Sequence, residues 1–543
     1  MATILSGFGG LSGSGNTQTQ PVNPPLELKL NSLEVENIFA QARVNGEDID
    51  PQKTGEVIDQ YIMSPEAQKE MNLISGTAGS DTITSKFNQE DGSITINING
   101  KETTYTAEQA LNGFKVELGD GNDSVDLSAI YTSTLINAGE GDNNIALGQS
   151  RNLVTTGDGN NTITSNNAAR NSITTGNGNN KINVTGNTNT VNTGSGNDSI
   201  IVAGQNSKVS SGDGMDIINA KSEENDINAG AGNDVITSHG KKDKIYGGDG
   251  NDFINAGNGD TYIEGGKGDD NIKAGNGNNV IYGLDGNDKI KVGNGDNYID
   301  GGKDNDNITV GTGKNIVFGG LGDDTIDAQK SSGKVFDDNN GGTINASENM
   351  EVKRYDSTAN ANLGHSMTVR DTESDDFKMR VESDKEALKA TESGQKLLSE
   401  LDKSGHKVTI HEIDINNGYE QPAKSEDYDK QFVTPDGKRG EGTDTEIGYN
   451  PSYNASHNGK PINALFHEGV HAYNGTTGTM QPGRQDQEDG SNVKKLERQD
   501  VGLSVENGIP VKHPDGTVTT GNPEGLTDNS LRKELEVQKR ELY

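Results

Sequence analysis

The stretch His467-Glu468-Gly469-Val470-His471 sets two imidazoles four residues apart with a carboxylate between them. On a helix this spacing turns both histidines to one face, where neutral imidazoles can bind a single metal ion. Glu468 then stands beside the water the metal activates, and can pass its proton to a leaving amine. The flanks predict that helix. Asn463, after Pro461, is a candidate N-cap; Ile462, Phe466, Val470 and Tyr473 form an apolar stripe; and Gly475 supplies a stop. The expected chemistry is hydrolysis at zinc, with His467 and His471 as ligands and Glu468 as catalytic base.

A third ligand has to come from elsewhere. Asn474 and Thr477 stand where an extended HExxHxxGxxH motif needs glycine and a third histidine. The candidates after His471 are Glu488, Asp489, Glu497, Asp500, Glu506 and His513. Glu497 is favoured, because a second helix packed on the first can present a carboxylate to two histidines; Asp489 is the main alternative. Asp500, on the same helical face as Glu497, is expected to support an imidazole from behind. The chain has no cysteine, which leaves histidine and carboxylates as metal ligands.

Only 29% of the 543 residues are hydrophobic, 4% are aromatic and none is tryptophan, so most of the chain lacks the material for an ordinary globular core. The 73 glycines point instead to a repeat whose turns replace side-chain packing. A net charge of −36 argues against nucleic acid or an anionic membrane as partner and favours divalent cations. No segment approaches a transmembrane span. Residues 1–26 carry no charge and read as a disordered, export-signal-like tail, and 27–72 as a helical cap.

From Ile173 to Ile326 an aliphatic residue falls at every ninth position. Ile136, Ile145, Val154 and Ile163 extend the series upstream, Ile74 and Ile83 look like an earlier start, and 92–117 interrupt it as an expected hairpin insertion. The unit is legible in Gly247-Gly248-Asp249-Gly250-Asn251-Asp252-Phe253-Ile254-Asn255 and again from Gly319 to Asp327. It resembles the RTX nonapeptide, which implies a parallel β-roll of 18-residue coils with calcium in its turns. Asp198, Asp216, Asp234, Asp252, Asp270, Asp288, Asp306 and Asp324 recur every 18 residues, and the intervening turns carry mostly Asn or small polar residues, with Asp243 an exception. Those eight aspartates are therefore expected on one calcium-binding edge, with Asn ladders on the other. Some eleven coils at about 4.8 Å each give a rod on the order of 50 Å.

Past Ser332 the pattern changes. Ser383 with Glu386 is read as a capping box ahead of a helix ending near Lys403, and His406–Ile415 and Thr445–Tyr449 as strands, the latter an edge strand that could pair with extended substrate. This region resembles the NleD-like effector zinc metallopeptidases. The matching stretches are Gly405 to Ile410, Gly442 through Pro451, His467 to Asn474, Gln481-Pro482-Gly483, Leu496 to Leu503, and Leu526 to Leu535. The resemblance implies a secreted zinc endopeptidase delivered into host cells, where relatives cut MAP kinases.

The expected fold is thus a parallel β-roll over 73–330, a linker and start of the next domain over 331–375, and an α+β zincin-like metallopeptidase domain over 376–543. The expected cofactors are Zn2+ in the C-terminal domain and Ca2+ in the roll. A monomer acting on a polypeptide, a host protein by resemblance, is the leading reading. The rival is a calcium-binding β-roll adhesin, surface or structural protein with an accessory or inactive protease domain.

Overall fold

The structure is a computed structural model that describes residues 59, 62–166, 170–413, 419–452, 460–482, 484–486, 492–503, 505, 508–514 and 516–539. The expected tail over 1–26 and most of the expected cap over 27–72 lie outside those residues. Asp59 and Ile62, at the end of the cap, pack on the side of the roll: Asp59 pairs with Arg151 and Arg170, and Ile62 contacts Leu135 and Leu153.

Two parallel sheets run along the repeat. One holds fifteen strands from Asn72–Ser75 to Met350–Tyr355; the other holds sixteen, including Thr82–Phe87, Thr343–Ala346 and an antiparallel hairpin at one end. Each strand pairs with the strand one coil away. Ile245, Ile263, Ile281 and Ile299 stack in the first sheet, and Ile236, Ile254 and Ile272 in the second. All of these are fully buried, and burial of each stabilises the roll by about 1.5–3 kcal/mol. The turns need glycine for two reasons at once. Gly250 has φ of +133°, and a Cβ there would overlap the carbonyl oxygen of Gly232 one coil back.

Both boundaries of the repeat differ from expectation. The insertion is a hairpin, Ile94–Ile98 with Lys101–Tyr105, followed by the short helix Ala107–Ala110; Phe114–Glu117 is already a roll strand. At the other end the roll does not give way to a linker after 330. Ser332–Asp338, Thr343–Ala346 and Met350–Tyr355 continue both sheets, for about 13 coils rather than eleven, because Val335 and Met350 keep the inward apolar row after the glycine-rich turns stop.

The α+β region is built on a four-stranded sheet in the order Met367–Val369, Val408–Glu412, Thr445–Tyr449, Tyr419–Pro422. Thr445–Tyr449 is therefore internal. The edge belongs to Tyr419–Pro422, which runs antiparallel to it. The single helix expected between Ser383 and Lys403 is two, Asp375–Lys389 capped by Ser374 and Glu392–Ser404 capped by Thr391. Ser383 lies inside the first, where its hydroxyl donates to Asp300 of the roll at 2.8 Å.

That contact belongs to a shared core. From Tyr262 onward the outer face of the first sheet turns aromatic: Tyr262, Tyr282, Tyr298, Phe318 and Phe336 follow one another with ring centroids 4.8–6.1 Å apart. They are buried in one cluster with Phe377 and Val381 of helix Asp375–Lys389 and with Tyr449 and Phe466. At its centre Arg380, with no exposed surface, donates to the Tyr262 hydroxyl at 3.0 Å and pairs with Asp384 at 2.6 Å. Tyr449 donates to the same Asp384 at 2.7 Å, linking the interface to the central strand. Arg380→Ala leaves Asp384 buried without its cation, and we expect a loss of about 3–5 kcal/mol in stability, measurable by chemical denaturation.

Candidate active site and cation row

The helix carrying both histidines runs Pro461–Thr477, with Pro461 at its first turn and the extended residue Lys460 before it. Asn463 is not the cap expected of it: Lys460 precedes the first turn, and Asn463, at the third helical position, accepts the Lys460 N–H on its side-chain oxygen at 3.1 Å. Gly475 does not end the helix. The left-handed Gly478, φ +67°, does. Gly475 is small for another reason: a Cβ there would stand 2.5 Å from Gln431 Nε2 and 2.7 Å from Glu420 Oε1.

One turn apart, His467 and His471 bring their Nε2 atoms to 3.1 Å, and the short helix Lys495–Val501 sets Glu497 Oε2 3.2 Å from His471 Nε2 and 3.9 Å from His467 Nε2. Two imidazole nitrogens and one carboxylate oxygen thus lie within 4.8 Å of one another, the one such cluster among the described residues. Both histidines are buried. Asp500, one turn past Glu497 and fully buried, bonds His471 Nδ1, which directs Nε2 toward the cluster. Asp500 is held in turn by Asn474 and, at 3.2 Å, by Asn522. Gln499 donates to Asn474 and to the Thr479 carbonyl, both at 3.0 Å, tying the second helix to the first.

Burial works against a charged His471, but the carboxylates of Asp500 and Glu497 outweigh it and push the imidazole well above its ordinary value. Positive charge is thus favoured at this point. Of the other third-ligand candidates, His513 is buried elsewhere and bonds Thr519 at 2.9 Å. Glu488, Asp489 and Glu506 lie outside the described residues.

Glu468 faces a cleft of about 720 Å³ with His471 and Glu497. Its opposite wall is the edge strand Tyr419–Pro422 with Tyr428, Phe432 and Met480. Glu420 of that strand accepts from Gln431 at 2.7 Å; burial raises its carboxyl to about 8 despite nearby His471. Neither the edge strand nor Glu420 was legible beforehand. Tyr419–Pro422 is too short and polar to show a period, and its proline reads as a breaker.

On the roll, the eight aspartates from Asp198 to Asp324 form one buried row. Each Oδ1 from Asp216 onward accepts the N–H of the aspartate one coil back at 2.7–2.8 Å. Each Oδ2 is buried without a hydrogen bond. A buried carboxylate oxygen in that state calls for a cation or a proton. The second edge is self-satisfied: Asn279 donates to Asn297 and Asn297 to Asn315, at 2.9 and 2.8 Å.

The row is not uniform. A Cβ on Gly247, Gly265, Gly283 or Gly301 would collide with the Oδ2 of Asp252, Asp270, Asp288 or Asp306, and with the carbonyl oxygen of the glycine one coil on. Glycine there leaves a gap walled by hard oxygens, the donor class that suits calcium. Beside Asp198, Asp216 and Asp234 the same position holds Thr193, Ser211 and Ala229. The Thr193 hydroxyl donates to Ser211 O at 2.6 Å and the Ser211 hydroxyl to Ala229 O at 2.7 Å, so protein atoms already serve the carbonyl that a cation would use.

A nonapeptide solenoid joined to an α+β region with a His-His-carboxylate cluster is the class these features define. Residues 365–543 match the model of the Peptidase_M91 family, described as an effector protein. The stretches 137–169, 166–200, 210–240, 239–263, 256–290, 264–299 and 291–326 match the RTX calcium-binding nonapeptide repeat. No curated protein and no solved structure matches the chain. The matches indicate a peptidase effector region preceded by calcium-binding repeats, and no helix among the described residues is long and apolar enough to cross a membrane.

Two outcomes are expected. Asp500→Ala frees His471 to rotate and should weaken the affinity of the cluster for a divalent metal about 10–100-fold in a chelator competition. In the cation-free roll, burial, reinforced for most by neighbouring carboxylates, raises Asp252 to about 6, Asp234 and Asp288 to about 7, Asp270 to about 8 and Asp306 to about 10, from an ordinary 3.8. Their folded values exceed the unfolded one, so their contribution to stability is complete below about pH 4 and is lost as pH rises through 6–10. In chelator, the Tm followed by circular dichroism should fall between about pH 5 and 8, and calcium should remove that fall.

Proposed function

We propose that the chain is a secreted zinc-dependent metalloendopeptidase of effector type, carried with a calcium-binding roll. The convergence of His467, His471 and Glu497 beside Glu468, in a cleft bounded by an edge strand, carries the reading. Two imidazoles and a carboxylate suit tetrahedral zinc with one position open, and a buried Asp500 behind His471 is the support such ligands use. Bound there, zinc would supply the Lewis acid that polarises the scissile carbonyl.

The residues divide the remaining work. Glu468 accepts the proton of the attacking water and returns it to the leaving amine. Asp500 keeps the His471 tautomer with Nε2 toward the cluster. The free edge of Tyr419–Pro422 offers backbone groups to an extended polypeptide. The helices, the mixed sheet and this edge strand support a zincin-like arrangement. Resemblance to effector peptidases extends the proposal to delivery into a host cell and to host proteins, MAP kinases among them, as substrates.

In the roll, calcium is assigned to the glycine-lined gaps beside Asp252, Asp270, Asp288 and Asp306, with each Oδ2 and the facing carbonyl as ligands. The filled positions beside Asp198, Asp216 and Asp234 make those three aspartates structural members of the ladder.

Glu468→Gln keeps the shape of the cleft and removes the base. We expect at least about a 10²-fold loss of peptide cleavage with zinc content unchanged. Wild type and variant, each with one equivalent of zinc, are incubated with a eukaryotic cell extract and new protein termini are mapped by mass spectrometry. Termini that require Glu468 support the reading and name the substrate. Equal sets of termini, with zinc confirmed bound, would overturn it.

A further inference from the structure

The last turn of the roll reverses its own motif. Where Gly319-Gly320-Leu321-Gly322-Asp323-Asp324 places glycines first and the carboxylate last, the turn one coil on reads Asp337-Asp338-Asn339-Asn340-Gly341-Gly342. Asp337 is thus the residue one coil after Gly319, the position held by glycine in the five preceding turns from Gly247 to Gly319, and Gly342 stands where the ladder aspartate would be. The reversal has a geometric result. A Cβ on Gly319 would collide with Asp324 Oδ2, as in every glycine-lined gap, but on the facing side it meets Asp337 Oδ1 instead of a backbone carbonyl. Both residues are fully buried, and neither of these two oxygens has a hydrogen-bond partner.

We infer that the gap between Asp324 and Asp337 is a further divalent-cation site, which closes the row with two carboxylates where the interior gaps have one.

The surrounding contacts leave that oxygen pair aimed at one point. Asp337 Oδ2 is held by Arg354 Nη1 at 2.8 Å, and Arg354 also donates to the carbonyls of Asp338 at 3.1 Å and Gly342 at 2.7 Å. The guanidinium therefore fixes the turn from outside and takes up one oxygen of Asp337. Asp324 Oδ1 is likewise engaged, accepting the N–H of Asp306 at 2.8 Å. Asp338, the other buried acid of the turn, is served by Asn340 and by the Ser357 hydroxyl at 3.2 Å, so it does not share the need. Two buried carboxylate oxygens converging on one gap repel each other unless a cation or a shared proton lies between them, and hard oxygens of this kind suit calcium. The site also has a structural consequence. Arg354 belongs to the final strand Met350–Tyr355, and the next residue, Tyr355, enters the core shared with the α+β region while its hydroxyl donates to Gly320 O at 3.3 Å. A cation here pins the coil from which the peptidase region departs.

The inference rests on the calcium reading of the roll for the identity of the ion. The intact protein, stripped with chelator, is titrated with calcium alone by calorimetry, wild type beside Asp337→Asn, which keeps an oxygen for Arg354. We expect the variant to bind one equivalent fewer. Equal stoichiometries in two folded proteins would overturn the site. Should the variant fail to fold, wild-type crystals grown in calcium decide by anomalous scattering: a peak between Asp324 Oδ2 and Asp337 Oδ1 supports the site, and peaks confined to the interior gaps show a shared proton in its place and overturn it. A wild type that binds no calcium overturns this site and the calcium reading of the roll together.

Discussion

Each coil of the roll leaves its strand N–H and C=O groups pointing along the axis, where only another coil of matching length satisfies them. The 18-residue register is therefore the constraint on which the rest of the structure depends. It stacks isoleucine on isoleucine inside, as from Ile245 to Ile299, and it stacks every turn residue on its counterpart. Once one Asp is placed at a turn, its neighbours lie one coil away, and the row of buried carboxylates follows without further choice. The Oδ1 atoms satisfy the backbone, the Oδ2 atoms do not find partners, and a demand for cations is written along one edge.

The same register builds the platform for the catalytic region. Outward positions on successive coils of one sheet, on one side or the other of the inward aliphatic row, become Tyr262, Tyr282, Tyr298, Phe318 and Phe336, a flat apolar face that water would otherwise cover. Helix Asp375–Lys389 covers it, and Arg380 ties the face to Asp384 and through it to Tyr449. Phe466, one residue before the first histidine, is packed into this same core. The roll is thus continuous with the wall behind the site, and it is more than a spacer in mechanical terms.

Much of this was legible from residues alone. The nine-residue spacing determined inward and outward positions, because a parallel coil admits one periodicity, and the 18-residue recurrence of Asp determined which edge carries the acid. Two histidines four apart fixed their common face through helix geometry. Glu497 was favoured over Asp489 because a second helix packed on the first can present a carboxylate, and Asp500 because it shares that helical face; the structure brings both to His471.

Other features depend on chain segments distant in sequence, and no local pattern encodes them. That Tyr419–Pro422 forms the edge and Thr445–Tyr449 lies inside is decided by strand order. That Ser383 faces Asp300 rather than capping a helix is decided by docking on the roll. Thr193 and Ser211 fill two gaps of the acid row because their hydroxyls meet carbonyls a full coil away, and Asp337 meets Asp324 by the same stacking. The sequence by itself determined period, face and candidate ligands, since these follow from the geometry of a single strand or helix. Only the tertiary structure decided which carboxylates are left facing a cation and which wall bounds the cleft, since desolvation and hydrogen-bond satisfaction are set by what packs across the gap.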